Sequence, residues 1–338
     1  MSTMRSVSIF GDRLVSIGET KMPQPEADEV LVRIAVSALC GSEMRAYRGD
    51  GRPEHGNGGH EAAGEVVAVG SDVTGLVDGD RVGLSAIVGC GLCDQCAAGR
   101  TTWCASRRFV GGMHADFVAI AARACHRLPD DVDWATGTLI SGDGLGVPFH
   151  SLTKIPGDAA TVAVFGLGPI GLGAVLLHSY LGRTVIGIDL APERLALAQR
   201  FGAQAVVDSS PGTEETVIAI RALTSGIGPD VCIEAAGLPV TTRACFDTVR
   251  TGGTVIFNGE QPRVELSPSE DFIRRDITAS GAWFYHFHEF AAMLDLVREG
   301  FPASTLVTHR LEFSEASEGF AAMDKGLTGK VLLEREWV

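Results

Sequence analysis

Hydrophobic positions in the first 150 residues come in short bursts broken by turns. Residues 30–36 (VLVRIAV) and 65–69 (EVVAV) are of strand length, and glycine and Asp/Gly turns such as VDGDRVG lie between them. From Thr161 the pattern changes to apolar strand alternating with amphipathic helix. TVAVFG is followed by a helix to about Leu181, TVIGID by a helix through Phe201, then QAVVD, a helix, PDVCIEAAG, a helix and GTVIFNG. Five or six such repeats predict a doubly wound parallel sheet. The runs near 162–165 and 231–235 are apolar without alternation, as in strands covered by helices on both faces. After about Ala282 the rhythm breaks into a helix through HEFAAMLDLVREG, the segment THRLEFS, another helix and a closing strand GKVLLE. The expected organisation is α/β: a β-rich domain over 1–150, a doubly wound domain over 151–282, and a segment 283–338 too short to fold alone, which returns to the first domain.

Composition narrows the function classes. The 338 residues are 45% hydrophobic and 21% charged, ordinary for a folded protein, which excludes low-complexity and disordered readings. Lys and Arg number 28 against 42 Asp and Glu, a formal charge of −14 that repels phosphate backbones and anionic membranes. No run of 18 uncharged apolar residues offers a membrane span, and the first twenty residues lack the apolar core and cleavage site of a signal peptide. The expectation is a cytoplasmic protein. Four of the eight cysteines crowd into fifteen positions, which in such a chain favours metal over disulfide.

Gly166-Leu167-Gly168-Pro169-Ile170-Gly171 follows the strand TVAVF and opens a helix. In this pattern the first glycine permits a tight turn, the second admits a pyrophosphate to the backbone, and the third allows close helix–strand packing. The pyrophosphate would sit on the free N–H groups of the helix start. Asp189 ends the next strand, 23 positions after Gly166. An acid there accepts from both ribose hydroxyls and repels a 2′-phosphate, so NAD rather than NADP is expected. Arg194, in the following helix, is counted with these residues as cofactor-binding. The competing reading of the glycines is a plain helix N-terminus.

Cys90, Cys93, Cys96 and Cys104 form C-x2-C-x2-C-x7-C in a lobe over 88–105. Four thiolates suit a tetrahedral zinc with no open position, hence a structural one; an iron–sulfur cluster or two disulfides are the alternatives. Two further fragments, Cys40-Gly41-Ser42 and Gly59-His60-Glu61, carry little singly. A lone cysteine on a strand is usually a small buried hydrophobe, and a lone histidine a satisfied structural residue.

Taken together, CGS at 40–42, GHEAAGEVVAVG from Gly59, the four-cysteine lobe, GLGPIG with Asp189 and the closing GKVLLE resemble the zinc-containing medium-chain alcohol dehydrogenase family along essentially the whole chain. The resemblance implies a GroES-like catalytic domain joined to a Rossmann domain. It implies a catalytic zinc on Cys40, His60 and Asp143, with Glu61 as a fourth or exchangeable ligand, beside the structural zinc: two Zn2+ per chain, with NAD. The rival reading of Asp143 in SGDG is a turn residue. Ser42 matches the hydroxyl that passes the alcohol proton towards solvent; its other reading is a turn serine. Glu43 stands where the family has Asp and is expected to brace a zinc-ligating histidine from behind. Arg45 stands where a relay histidine is common and cannot accept a proton; it pairs with Glu43, meets substrate or is solvated.

Such a site oxidises an alcohol to its ketone with hydride transfer to the nicotinamide. The four-cysteine lobe and the CGS/GHE pattern resemble the secondary-alcohol, polyol and threonine dehydrogenase branch, and a diol, sugar alcohol or cyclitol is the preferred substrate. Residues 283–288 (WFYHFH) either line the pocket or belong to core or interface. Family members are homodimers or homotetramers acting on small molecules. The competing functions are an NADP-dependent aldehyde or ketone reductase and a non-catalytic zinc- and dinucleotide-binding protein. Arg100, Arg107 and Arg108 are too few to make the lobe a nucleic-acid module.

Overall fold

The computed structural model describes residues 2–49 and 57–336, which form two compact units. One comprises the chain up to Gly146, Phe284–Lys325 and the stretch from Lys330 onward; the other comprises Val147–Trp283 and Gly326–Gly329.

The first unit is built on a seven-stranded sheet whose long central strand is Glu29–Leu39. Its β-branched residues Val30, Val32 and Ile34 are fully buried against Val66, Val82, Leu84 and Ile120. Ala62–Val69 runs antiparallel along one side, with Ser37 opposite Ala62. Phe117–Ala121 and Lys330–Glu334 share the other side, and Val331 faces Leu39. This register brings three segments to one end of the sheet: Cys40 just beyond the central strand, His60 and Glu61 just before Ala62, and Lys330 beside Val331. Ala38 N–H donates to the Glu61 carbonyl at 2.9 Å, closing the junction. The helix Trp134–Ser141, capped by Asp133, stops at Gly142, and Asp143 begins the next helix, Asp143–Leu152. A Cβ on Gly142 would fall 2.7 Å from Glu61 Oε2, so only glycine lets this turn close on the sheet end. The short strands Ile87–Val88 and Arg108–Phe109 pair at the base of the cysteine lobe.

In the second unit six strands, all parallel, lie in the order 3-2-1-4-5-6, from Thr161–Phe165 through Thr184–Asp189, Ala205–Asp208, Val231–Glu234 and Thr254–Phe257 to Thr278–Gly281. This is the Rossmann order, which places a ligand crevice beyond the strand ends where the winding reverses, between Thr161–Phe165 and Val231–Glu234. The sixth strand, TASG, lies at the sheet edge and is not covered like the inner strands, so it leaves no apolar run for a sequence pattern to detect. No helix among the described residues is long and apolar enough to cross a membrane.

Candidate functional site

Within the first unit, Cys40, His60, Glu61 and Asp143 are all buried, and their ligand atoms lie within 4.8 Å of one another. His60 Nε2 is 3.2 Å from Asp143 Oδ2, which is 3.9 Å from Cys40 Sγ. His60 Nδ1 faces the Gly58 carbonyl at 3.0 Å, which leaves Nε2 directed at the cluster. Asp143 Oδ1 is buried without a hydrogen-bond partner. Three acidic groups converge on one imidazole, and the electrostatics follow. Burial pulls the His60 pKa down, but Cys40 and Asp143 outweigh it and hold it well above the ordinary value. Burial raises Glu61 against the pull of the Lys330 cation. Two carboxylates, a thiol and an imidazole crowded out of water, one oxygen unsatisfied, are a donor set that fits a divalent cation.

Lys330 completes the cluster. Its side chain is fully buried and its ammonium donates to Glu61 Oε1, while Gly144 N–H donates to Glu61 Oε2 at 3.1 Å. Burial lowers the Lys330 pKa, but Glu61, Cys40 and Asp143 more than offset this and raise it.

The lobe holds a second group. The sulfurs of Cys90, Cys93, Cys96 and Cys104 also lie within 4.8 Å of one another, with Cys90 to Cys96 at 3.9 Å and Cys93 to Cys96 at 3.6 Å. A tetrahedron of ~2.3 Å zinc–sulfur bonds has edges of about 3.8 Å, so the spacing fits that ion. All eight cysteines are free thiols. Backbone N–H groups of Leu92 and Cys93 lower the Cys90 pKa to about 6, whereas burial raises Cys96 to about 11.

In the second unit Gly166 has φ +88°, and a Cβ there would strike Ala236 at 2.7 Å. A Cβ on Gly171 would lie 1.8 Å from the Gly166 carbonyl, whereas around Gly168 there is open space. The turn and the helix packing therefore need glycine, and the middle position leaves room for a ligand. Pro169 and Ile170 open the helix Pro169–Tyr180. Asp189 Oδ2 accepts from Leu167 N–H at 2.6 Å, Oδ1 accepts from Leu190 and Ala191 N–H, and Arg194 stands 3.9 Å away.

Comparison with known proteins agrees with both halves. The alcohol dehydrogenase GroES-like domain matches residues 26–130, and the zinc-binding dehydrogenase family matches residues 169–299. An L-threonine 3-dehydrogenase from Escherichia fergusonii is 31% identical over 93% of this chain and 95% of its own length. The chain belongs to the zinc-containing medium-chain alcohol dehydrogenase family. Among solved structures, 2R,3R-butanediol dehydrogenase from Bacillus subtilis is 26% identical with a TM-score of 0.84, covering 98% of this dehydrogenase and 100% of its own chain. A dehydrogenase from Sinorhizobium meliloti 1021 bound to NADP is 29% identical with a TM-score of 0.85, covering 99% and 100%.

The remaining site residues of this dehydrogenase separate clearly. Ser42 and Arg45 are exposed close behind Cys40. Glu43 does not take the expected partner: its carboxylate accepts from Cys40 N–H and lies against His114, while His60 Nδ1 turns to Gly58. His114, an isolated histidine in GGMHADF, carries no sequence signal, and Lys330, although inside the closing GKVLLE, reads only as a lysine opening an apolar strand. Residues 283–288 divide between roles. Phe284, at the unusual φ of +54°, lies 6.1 Å from both the His60 and Phe109 rings, whereas Tyr285 and His286 are core. Tyr285 donates to the Ser141 carbonyl at 2.7 Å, and His286 Nδ1 meets Thr102 Oγ1 at 2.8 Å.

Proposed function

We propose that this dehydrogenase oxidises a secondary alcohol, including polyols and cyclitols, to the ketone with NAD as hydride acceptor, reversibly. One observation carries the reading: a buried Cys40–His60–Glu61–Asp143 cluster on the same chain as a glycine-rich loop paired with Asp189. Zinc held by this cluster would supply a Lewis acid that lowers the substrate hydroxyl pKa, and a bound nicotinamide would supply the hydride acceptor.

The chain's own residues divide the remaining work. Cys40, His60 and Asp143 are the ligands. Both oxygens of Glu61 are engaged, by Lys330 and by Gly144 N–H, so Glu61 stands back as an exchangeable fourth group and a position stays open for substrate. Ser42 passes the proton towards solvent; Arg45, permanently charged, does not accept it. Asp189 receives the ribose hydroxyls, Arg194 flanks it, and Gly168 admits the pyrophosphate. The four lobe cysteines hold a structural zinc, and the working enzyme is a homodimer or homotetramer.

The test counts zinc per chain by elemental analysis in wild type and Cys40→Ala, while reduction of NAD and of NADP is followed over secondary alcohols, butanediols, polyols and L-threonine. Two zinc ions falling to one, with NAD turnover lost, is the expected result. One zinc in both proteins overturns the ligand assignment. The NADP-bound relative favours NADP as the second reading; higher kcat/KM with NADP would establish it over the charge argument from Asp189.

A further inference from the structure

Glu43 and His114 are two buried polar side chains that the reaction does not use. We propose that they form a positioning pair for the catalytic metal, tying together the two chain segments that carry Cys40 and His60. The inference rests on the ligand assignment above.

Glu43 lies in the one-turn helix Gly41–Glu43 that follows Cys40. Its Oε2 accepts from Cys40 N–H at 2.8 Å and meets His114 Nε2 at 3.3 Å, and its Oε1 lies 3.0 Å from the same nitrogen. His114 is fully buried, and its Nδ1 lies 3.0 Å from Ser37 Oγ, on the strand that leads into Cys40. With a carboxylate at Nε2, that nitrogen carries the proton and Nδ1 accepts from the serine hydroxyl. The same residue reaches the other ligand segment. Its backbone N–H donates to Asn57 Oδ1 at 3.0 Å, and Asn57 Oδ1 also accepts from Gly59 N–H at 3.1 Å. Met113 N–H donates to the Gly59 carbonyl at 2.9 Å, and a Cβ on Gly59 would strike the His114 ring at 2.5 Å. The imidazole is thus wedged between the run into Cys40 and the run into His60. The carboxylate orients the backbone of the thiolate ligand, in place of the acid–histidine brace that an aspartate at this position would be expected to supply. Removing a partner leaves a buried charge or donor unsatisfied and frees both segments. Outer-sphere partners of this kind commonly set metal affinity by ten- to hundredfold.

The experiment titrates zinc-loaded full-length protein with dipicolinate and counts the zinc retained by wild type, Glu43→Gln, His114→Phe and the double variant. It also records the visible spectrum after cobalt(II) replaces the more labile zinc. The lobe zinc is the internal reference. For His114→Phe the first zinc leaves at roughly ten- to hundredfold lower chelator and the cobalt band moves, while the lobe zinc is retained. Glu43→Gln, whose amide oxygen still accepts from Cys40 N–H, falls between. The double variant is no weaker than His114→Phe, since no carboxylate is left buried alone. Unchanged release and spectrum in both single variants overturn the proposal, as does loss of both zinc ions together with the circular dichroism of the fold in Glu43→Gln. Should His114→Phe not fold, Glu43→Gln decides alone, and wild-type release there overturns it. Neither substrate nor cofactor enters the measurement, so failure of the alcohol–NAD reading leaves the result standing; a wild type binding one zinc overturns the ligand assignment and the pair with it.

Discussion

Lys330 is as deeply buried as Glu61, the carboxylate it donates to, and neither has access to water. A buried pair of this kind adds little net stability over an apolar pair, but breaking it strands a charge at a cost of about 3–5 kcal/mol. Lys330→Met in the zinc-loaded protein is therefore expected to lower the urea midpoint by that equivalent, and a second change, Glu61→Gln, to recover part of it. A Lys330→Met midpoint equal to wild type would refute the coupling. Asp189 makes a different prediction. Its carboxylate accepts three backbone N–H bonds around the glycine loop, so Asp189→Asn keeps an acceptor while removing the charge that repels a 2′-phosphate. The ratio of kcat/KM for NADP to that for NAD is expected to rise about tenfold or more, which is ~1.4 kcal/mol of discrimination. An unmoved ratio would mean that the carboxylate does not face the ribose.

Register does at the scale of elements what no single residue does. Ser37 opposite Ala62 and Leu39 opposite Val331 bring the ends of three segments together; a one-residue slip in the first pairing would turn Cys40 away from His60 and Glu61, and one in the second would turn Lys330 away from Glu61. The helix after the glycine loop is held equally tightly. Because a Cβ on Gly171 would lie 1.8 Å from the Gly166 carbonyl, Gly171→Ala must push the helix Pro169–Tyr180 off its strand. NADH affinity, read by fluorescence titration, is expected to fall at least about tenfold with the zinc content unchanged, since a displaced helix start no longer aims its N–H groups at the pyrophosphate. Wild-type affinity in this variant would show that the loop relaxes without cost.

At the scale of the whole molecule, two histidines, one in each unit, contribute to the pH response in the same direction. Burial lowers both His126 and His178 to about 3, from the ordinary 6.5. His126 lies stacked against Phe287 and Phe290, and His178 Nδ1 accepts from Arg183 at 3.1 Å. Between those two pH values the unfolded chain binds the proton and the folded chain does not. Their contribution is therefore complete above about pH 6.5 and is lost as pH falls towards 3. Lowering the pH from about 7 to about 5 is expected to remove roughly 2 kcal/mol per histidine. His178→Leu should remove one share of that slope in urea titrations at the two pH values; an unchanged slope would show that the buried imidazole is not kept neutral.

The family and the α/β fold were legible in the chain because their signals are local: apolar runs at strand spacing, glycines at a fixed interval, four cysteines within fifteen positions. Cys40, His60 and Asp143 were nameable by resemblance, since short motifs travel with the fold. Tertiary structure alone decided their company. Lys330 is separated from Glu61 by 269 positions and His114 from Glu43 by 71, and no periodicity links such residues. Their partners follow from which strand lies beside which. A lysine opening a strand and a histidine between two turns look solvent-facing until the sheet closes over them. Sequence carries what repeats along one segment; the burial of a charge beside its partner comes into being only when distant segments pack.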